Sequence, residues 1–386
     1  MAFSELYHPV VGGSIRWMAK IAEHWPGRAS VLAGMPPSGS LQPTDRDGAV
    51  PVRRIRLRLS DWGLDTPGNL MQYAGAVGRL AAHSRRQRAQ AVLCGRGVPE
   101  GFIAFLARRV TGIPYGCLVH GEEVISCGLS GQLKRMLALS YSRADFLVCN
   151  SRSSAELALS AGGRASRIVV SHPGVEVSEF ADVLAADRPA HGGPTVLLTT
   201  GRLDERKNHA GVLRAMAVLA GRGLDLRYVI VGDGDMEEPL RALAAELGVA
   251  GRVEWVQGGG DEIVRKAYAQ ADIFVMPAIH TGRDIEGFGI VFIEAGLAGL
   301  PCVAGDVGGC KEAVLDGRTG LVVNGADVEA LAGAIERLAR DAEWRRALGQ
   351  AGRRRAIQEL DWRVLIPRMS ADVERTIREP ERASTT

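Results

Sequence analysis

Glu286 and Glu294 stand eight residues apart in the run Ile285-Glu286-Gly287-Phe288-Gly289-Ile290-Val291-Phe292-Ile293-Glu294-Ala295. The first carboxylate precedes a Gly-x-Gly turn. The second lies about one and a half turns into the apolar stretch that follows, where a helix would rise about 1.5 Å per residue. Two acids placed this way can address one ligand from a loop and from a helix. Between them, the N–H groups of Gly289, Ile290 and Val291 would point at an anion, reinforced by the helix dipole. Gly287 and Gly289, on either side of Phe288, let a phosphate approach the backbone with no side chain in the way. The arrangement suits a ligand with hydroxyls at both ends and a diphosphate between them.

Two cations complete that chemistry. Arg202 and Lys207 follow an apolar run in Gly201-Arg202-Leu203-Asp204-Glu205-Arg206-Lys207. A loop at a strand's carboxyl end would hold both over a ligand, where fixed positive charge neutralises a diphosphate leaving group without a metal. Arg206 reads as their exposed neighbour. Asp233-Gly234-Asp235 mimics a D-x-D metal motif, but its glycine belongs to a Gly232-x-Gly234 turn after a strand, so no metal ligand is expected there. The segment is no dinucleotide fingerprint either, because Glu237 occupies the sixth position of G-x-G-x-x-G. Gly12 and Gly13 would form a tight loop admitting a phosphate or an acceptor.

The Glu286–Glu294 run resembles the E-x7-E motif of retaining glycosyltransferases of the GT-B fold, most closely family 4. Gly12-Gly13, His120-Gly121-Glu122, Asn150-Ser151, Gly201-Arg202 with Lys207, Gly232-Asp233-Gly234, and Pro301 with Gly308-Gly309 fall in the family's order over roughly 300 residues. The resemblance implies a nucleotide sugar as donor, UDP- or GDP-linked, and a hydroxyl on a glycan, a lipid-linked glycan or a small molecule as acceptor. It implies that Glu286 holds hydroxyls of the transferred sugar and Glu294 the nucleotide's ribose, with Gly232, Gly234, Gly287, Phe288, Gly289, Ile290 and Val291 also expected to bind the substrate. Arg202 and Lys207 match the family's phosphate-binding pair. His120 matches a histidine near the reacting sugar, able to hydrogen-bond it and shield charge at the anomeric carbon. The implied reaction is a same-face displacement with retention, metal-independent and needing no cofactor. An epimerase of the same fold, or a non-catalytic nucleotide-sugar-binding subunit of a glycosylation complex, are the competing readings. A phosphorylase would need a pyridoxal phosphate lysine, and none of the five lysines sits in such a motif.

The elements that must position these residues read as two α/β arrays. In the first half, strands are expected at 29–33, 90–94, 115–119, 145–149 and 168–171, with helices at 13–24, 68–88, 99–110 and 130–142. Only six residues precede Tyr7-His8-Pro9, so a strand before the glycine pair is expected to be short or partly missing. Residues 187–194, Asp-Arg-Pro-Ala-His-Gly-Gly-Pro, read as a linker. After it, strands are expected at 195–200, 227–231, 252–256, 272–276, 301–304 and 320–323. The intervening helices are placed at 208–221, 236–247, 261–270, from the Glu286 loop to 298, at 310–315 and at 327–340. Two facing Rossmann-like domains follow, residues 1–187 for the acceptor and 188–360 for the nucleotide sugar, with the ligand off the strands' carboxyl ends. Residues 361–378 read as an amphipathic helix opening a 361–386 tail, which in the family crosses back to the N-terminal domain. Closure over the donor is expected, hinged at the linker and near that helix.

Length and composition agree with this. At 386 residues and 46% apolar, the chain has enough for two cores. No run of 18 apolar residues is present, and no basic-then-apolar leader, so a cytosolic protein is expected. Six cysteines show no metal spacing and read as buried free thiols. Net charge divides unevenly: residues 1–180 net +8 and the remainder nets −5. The excess comes from Arg53, Arg54, Arg56, Arg58, Arg85, Arg86 and Arg88. Such a surface could meet an anionic membrane face or an acidic acceptor; nucleic acid is not expected.

Overall fold

The computed structural model describes residues 1–10, 12–36, 44–47, 50–57, 62–185, 193–258, 260–282 and 284–379, with the side chains of 44–47 and 185 excepted. Arg58 and most of the 187–194 linker lie outside the described residues. The chain divides into two compact units, Met1–Pro173 with Trp362–Thr386, and Gly174–Asp361. These divisions fall at 173 and 362, against the expected 187 and 361.

The first unit is built on β1 (Ala2–Ser4), β2 (Val31–Gly34), β3 (Thr44–Asp47), β4 (Val50–Ile55), β5 (Val92–Cys94), β6 (Tyr115–Val119), β7 (Phe146–Cys149) and β8 (Ile168–Val170). They form one sheet in the order β3-β4-β2-β1-β5-β6-β7-β8, parallel except for β3. Strands buried on both faces need continuous apolar runs, and Tyr-Gly-Cys-Leu-Val of β6 is fully buried. The short β1 is central rather than marginal: Phe3 pairs with Leu32 of β2 on one side and Cys94 of β5 on the other. The helix Trp362–Arg378 belongs to this unit. Trp362, Ile366, Met369 and Val373 are buried, and the helix packs on Gly13–His24 and on β7 and β8. Arg167 Nη1 donates to the Thr376 carbonyl at 3.2 Å, fastening its far end.

The second unit holds β9 (Thr195–Thr200), β10 (Leu226–Val231), β11 (Val253–Val256), β12 (Ile273–Met276), β13 (Cys302–Gly305) and β14 (Gly320–Val323). All are parallel, in the order β11-β10-β9-β12-β13-β14. Strand order reverses between β9 and β12, and there the chain leaves β9 toward one neighbour and β12 toward the other. Loops that diverge in this way open a crevice at the strands' carboxyl ends. Arg202, Lys207 and Glu286 come from the loops after β9 and β12.

Several elements were not expected, among them β3, β4 and the helices Glu122–Gly128, Arg152–Ser160, Ala181–Ala185 and Ala342–Glu359. Strand β4 alternates buried and exposed residues (Val-Pro-Val-Arg-Arg-Ile), and its arginine pair masks that alternation in the sequence. Arg54 is consequently not part of a surface cluster. It is 6% exposed, donates to the carbonyls of His8 and Gly34, and lies 5.7 Å over the Tyr7 ring. Arg53, Arg56, Arg85, Arg86 and Arg88 are exposed. The helix Arg152–Ser160 opens on a reciprocal cap between Ser151 and Ser154. The helix Ala342–Glu359 buries mainly small residues: Gly349 lies against the Gly299 carbonyl and Gly352 against Gly296. Contact through glycines leaves no apolar stripe to read. All six cysteines are buried and free.

Candidate functional site

The loop after β9 is shaped by its polar side chains. Asp204 caps the turn Glu205–Lys207, its Oδ1 accepting from the Lys207 N–H at 3.1 Å. Asn208 takes a left-handed conformation (φ 57°) that asparagine tolerates. Its Oδ1 accepts from Gly211 N–H at 3.0 Å, starting the helix His209–Gly221. Its Nδ2 donates to the carbonyls of Pro277 (3.2 Å) and Gly325 (2.7 Å), tying this loop to those after β12 and β14.

Lys207 folds back under the loop. It is 8% exposed, with Nζ donating to the Thr200 carbonyl at 3.3 Å. Gly201 (φ 115°) makes this fit, because any side chain there would collide with Lys207 Nζ. Burial pulls the Lys207 ammonium below its ordinary pKa, against the opposing pull of Glu286 and Asp204. Arg202 is exposed.

Arg206 is not the exposed neighbour that the sequence suggested. Its side chain is 13% exposed, and its guanidinium reaches three carboxylates. Nε pairs with Asp284 at 2.9 Å, Nη2 with Asp204 at 3.4 Å, and Nη1 with Glu286. Its main-chain carbonyl accepts from Ile279 N–H at 2.8 Å. Both ends of Arg206 therefore join the β9 loop to the β12 loop across the point where strand order reverses.

Glu286 is held from behind as well. Gly309 N–H donates to its carbonyl at 3.0 Å, and a side chain at Gly308 or Gly309 would strike the Glu286 or Gly287 carbonyl. Phe288 is buried, and Gly289 (φ 85°) turns the chain into the helix Ile290–Leu297. The half-buried Ile290 and Val291 open that helix, where first-turn N–H groups lack intrahelical partners and favour an anion. About one turn on, Glu294 is 6% exposed and accepts from Tyr268 Oη at 3.1 Å. The same hydroxyl lies 2.9 Å from Thr200 Oγ1, the end of β9. Burial and the neighbouring Glu294 push the Tyr268 phenol well up, so it stays protonated.

Gly232 (φ 143°) and Gly234 (φ 153°) have a packing explanation. A side chain on the first would meet the Gly201 carbonyl, and one on the second the Leu203 backbone. Leu203 N–H donates to the Asp233 carbonyl at 2.8 Å. These glycines let the β9 and β10 loops touch.

In the first unit, His120 follows β6. Its Nε2 lies 2.9 Å from the Gly95 carbonyl, an acceptor only, so Nε2 carries the proton and Nδ1 remains an acceptor when the ring is neutral. Its N–H donates to Glu123 at 3.0 Å, and that buried carboxylate also accepts from Tyr141 Oη at 2.9 Å. The Trp17 ring packs edge-on at 5.5 Å. Trp17 stands on the helix Gly13–His24 that Gly12 precedes, so the glycine pair and His120 are linked through one helix. Gly12 has an extended backbone (φ 170°), which does not require glycine, and a side chain on Gly13 would meet open space.

Comparison with known proteins accounts for this geometry. The model described as glycosyl transferases group 1 matches residues 183–355, and that of a glycosyl transferase 4-like domain matches residues 12–174. The GDP-mannose-dependent alpha-(1-6)-phosphatidylinositol monomannoside mannosyltransferase of Mycolicibacterium smegmatis is 35% identical over 282 residues, covering 71% of this chain and 74% of the relative. The chain belongs to the family 4 glycosyltransferases (glycosyl transferases group 1). A Corynebacterium glutamicum relative, the GDP-mannose-dependent monoacylated alpha-(1-6)-phosphatidylinositol monomannoside mannosyltransferase, is 30% identical over 304 residues, covering 75% of this chain and 78% of its own. The fold is that of Anabaena HepE, solved with UDP and glucose: TM-score 0.75 at 20% identity, covering 98% of this chain and 99% of that one. The two Rossmann-like units are those of a GT-B glycosyltransferase. Among the described residues, no helix is long and apolar enough to cross a membrane.

The second unit thus gathers Arg202, Lys207, Glu286, Gly287, Phe288, Gly289, Ile290, Val291 and Glu294 around the β9 and β12 loops, with Gly232 and Gly234 behind them. Sequence reasoning missed Arg206, Asn208 and Tyr268. Arg206 and Lys207 are adjacent cations, and spacing alone does not say that both turn inward. Tyr268 lies in an unremarkable helix, and its link to Glu294 is tertiary.

Proposed function

We propose that this glycosyltransferase moves a hexose from a nucleoside diphosphate sugar to an acceptor hydroxyl, retaining the anomeric configuration and using no metal. The observation that supports this reading is the pairing of Arg206 with Glu286, which holds the Glu286 carboxylate beside the loop of Arg202 and Lys207. Those two cations, with the N-terminus of Ile290–Leu297, would neutralise the departing diphosphate. Glu286 would accept from hydroxyls of the transferred sugar and Glu294 from the ribose. In the first unit, His120 keeps Nδ1 as an acceptor, its Nε2–H being committed to Gly95. The acceptor hydroxyl would attack from the face the diphosphate leaves, giving up its proton to a departing phosphate oxygen. That displacement keeps the configuration without a covalent enzyme intermediate.

GDP-mannose is the favoured donor, because the names of both relatives specify it; from the motifs alone UDP and GDP stood level. A lipid-linked acceptor at a membrane surface is likewise favoured, supported by the phosphatidylinositol acceptors in those names and by the exposed Arg53, Arg56, Arg85, Arg86 and Arg88. In this reading the first unit takes the acceptor and the second the donor.

The test is release of nucleoside diphosphate from GDP-mannose and UDP-glucose in EDTA, with and without vesicles containing mannosylated phosphatidylinositol. Acceptor-dependent GDP release, with an α-linked product by NMR, is the expected result. A β-linked product would overturn retention, and loss of turnover in EDTA would overturn metal independence. Release from neither donor under any condition would count against the reading itself.

A further inference from the structure

We infer that Arg206 is a positioning residue that fixes the Glu286 carboxylate and thereby sets which sugar the donor site accepts. The inference rests on the reading of Glu286 as the carboxylate that holds the transferred sugar.

A guanidinium has donors in three directions within one plane, whereas an ammonium is a compact point charge. Arg206 uses all three: Nε toward Asp284, Nη1 toward Glu286 and Nη2 toward Asp204. Each acid has its own anchor. Asp204 Oδ1 takes the Lys207 N–H, and Asp284 Oδ1 takes the Ile285 N–H at 2.8 Å. The carbonyl of Glu286 is fixed by Gly309. Arg206 therefore sits in a frame whose corners are already set, and it gives Glu286 one orientation.

The bond to Arg206 engages Oε2 of Glu286 and leaves Oε1 to a ligand. A carboxylate with one oxygen pinned accepts from a hydroxyl in one direction, and hydroxyl direction is what separates epimeric sugars. A freely rotating carboxylate could follow either epimer. Lys207 cannot supply this fixation, because its Nζ is turned to the Thr200 carbonyl.

The experiment compares wild type, Arg206→Gln, Arg206→Lys and Glu286→Ala. Affinity for GDP alone is measured by calorimetry, and GDP release is followed from GDP-mannose and from its C2 epimer GDP-glucose. For Arg206→Gln the expected result is GDP affinity within about twofold of wild type. Its kcat/KM for the preferred donor should fall at least about tenfold, the scale of one charge-assisted contact, and the preference between epimers should narrow. Arg206→Lys keeps the charge and can hold one acid, so it should recover part of the rate and less of the preference. Unchanged preference in an active Arg206→Gln enzyme would overturn the inference, as would equal loss of GDP affinity and turnover in both Arg206 variants. Should Arg206→Gln fail to fold, Arg206→Lys alone decides, by whether its epimer ratio departs from wild type. Full activity in Glu286→Ala would instead sink the underlying reading, and this inference with it.

Discussion

Lys207 poses a conflict between stability and activity that can be measured in one variant. Its ammonium is almost completely buried, and burial is the largest influence on it, lowering its pKa from the ordinary lysine value. The folded protein therefore disfavours the charge that a diphosphate would need. In sign, a lysine with a lowered folded-state pKa destabilises the fold at neutral pH, and that penalty fades as pH rises through the folded pKa toward the unfolded value. Lys207→Met, which removes the charge but keeps an unbranched side chain under Gly201, should thus be neutral or stabilising; exchanging buried ions for apolar groups is commonly worth about 0–4 kcal/mol. In the proposed reaction the same change would delete a charged contact to the leaving group, worth about 1.5–3 kcal/mol, or roughly ten- to 150-fold in kcat/KM. Urea denaturation at pH 7 and pH 9.5 reads the first effect, and GDP release from GDP-mannose reads the second. A variant less stable than wild type at pH 7 would refute the argument that Lys207 is held charged at the fold's expense. Near-normal turnover would remove Lys207 from the mechanism.

Four more outcomes are expected. Glu286→Ala should lower transfer at least about tenfold while the thermal midpoint moves little, because the side chain meets Arg206 rather than the core. Tyr268→Phe removes the buried hydroxyl that links Glu294 to Thr200, so it should lose about 1–3 kcal/mol of stability by denaturant titration and weaken nucleotide binding. Gly309→Ala forces a methyl group against the Gly287 carbonyl and should lose about 1–3 kcal/mol, with a fall in transfer from the displaced Glu286 loop. His209 is 1% exposed, with neither ring nitrogen hydrogen-bonded, and burial followed by the charge of Lys207 lowers its pKa to about 3. The unfolded chain takes up that proton first, so the neutral ring's contribution is complete above the unfolded value near 6.5 and is lost as pH falls toward 3. His209→Leu should flatten this acid limb in a pH series of urea midpoints; an unchanged limb would clear His209 of the role.

The sequence made the fold legible because parallel strands buried on both faces are continuous apolar runs. β6 was expected at 115–119 and β9 at 195–200, and both stand at those residues. Elements that break that rule stayed hidden. β4 carries arginines, one of them turned inward to brace the loop of His8, and Ala342–Glu359 packs through Gly349 and Gly352. In the second unit, glycine spacing and the paired acids singled out the loops after β9 and β12, which Arg206 joins. What spacing did not reveal was the side-chain direction at adjacent positions, as with Arg206 and Lys207. Nor did it reveal tertiary partners: Asn208 finds the Pro277 and Gly325 carbonyls, and Tyr268 finds Glu294. The Gly232 and Gly234 pair, which looked like ligand contacts, is accounted for by two loops pressed together.

The central claim is that the β9 and β12 loops of the second unit bind a nucleoside diphosphate without a metal. Thermal shift against GDP, UDP, ADP, dTDP and NAD, each in EDTA and in Mg²⁺, tests it on wild type and on Arg202→Ala. A ligand at 100 times its dissociation constant stabilises by about 2.7 kcal/mol, which is readily seen. The account predicts a shift with one nucleoside diphosphate, GDP foremost, equal in EDTA and Mg²⁺ and much reduced in Arg202→Ala. A shift that requires Mg²⁺, a shift with NAD alone, or no shift with any of the five would contradict it.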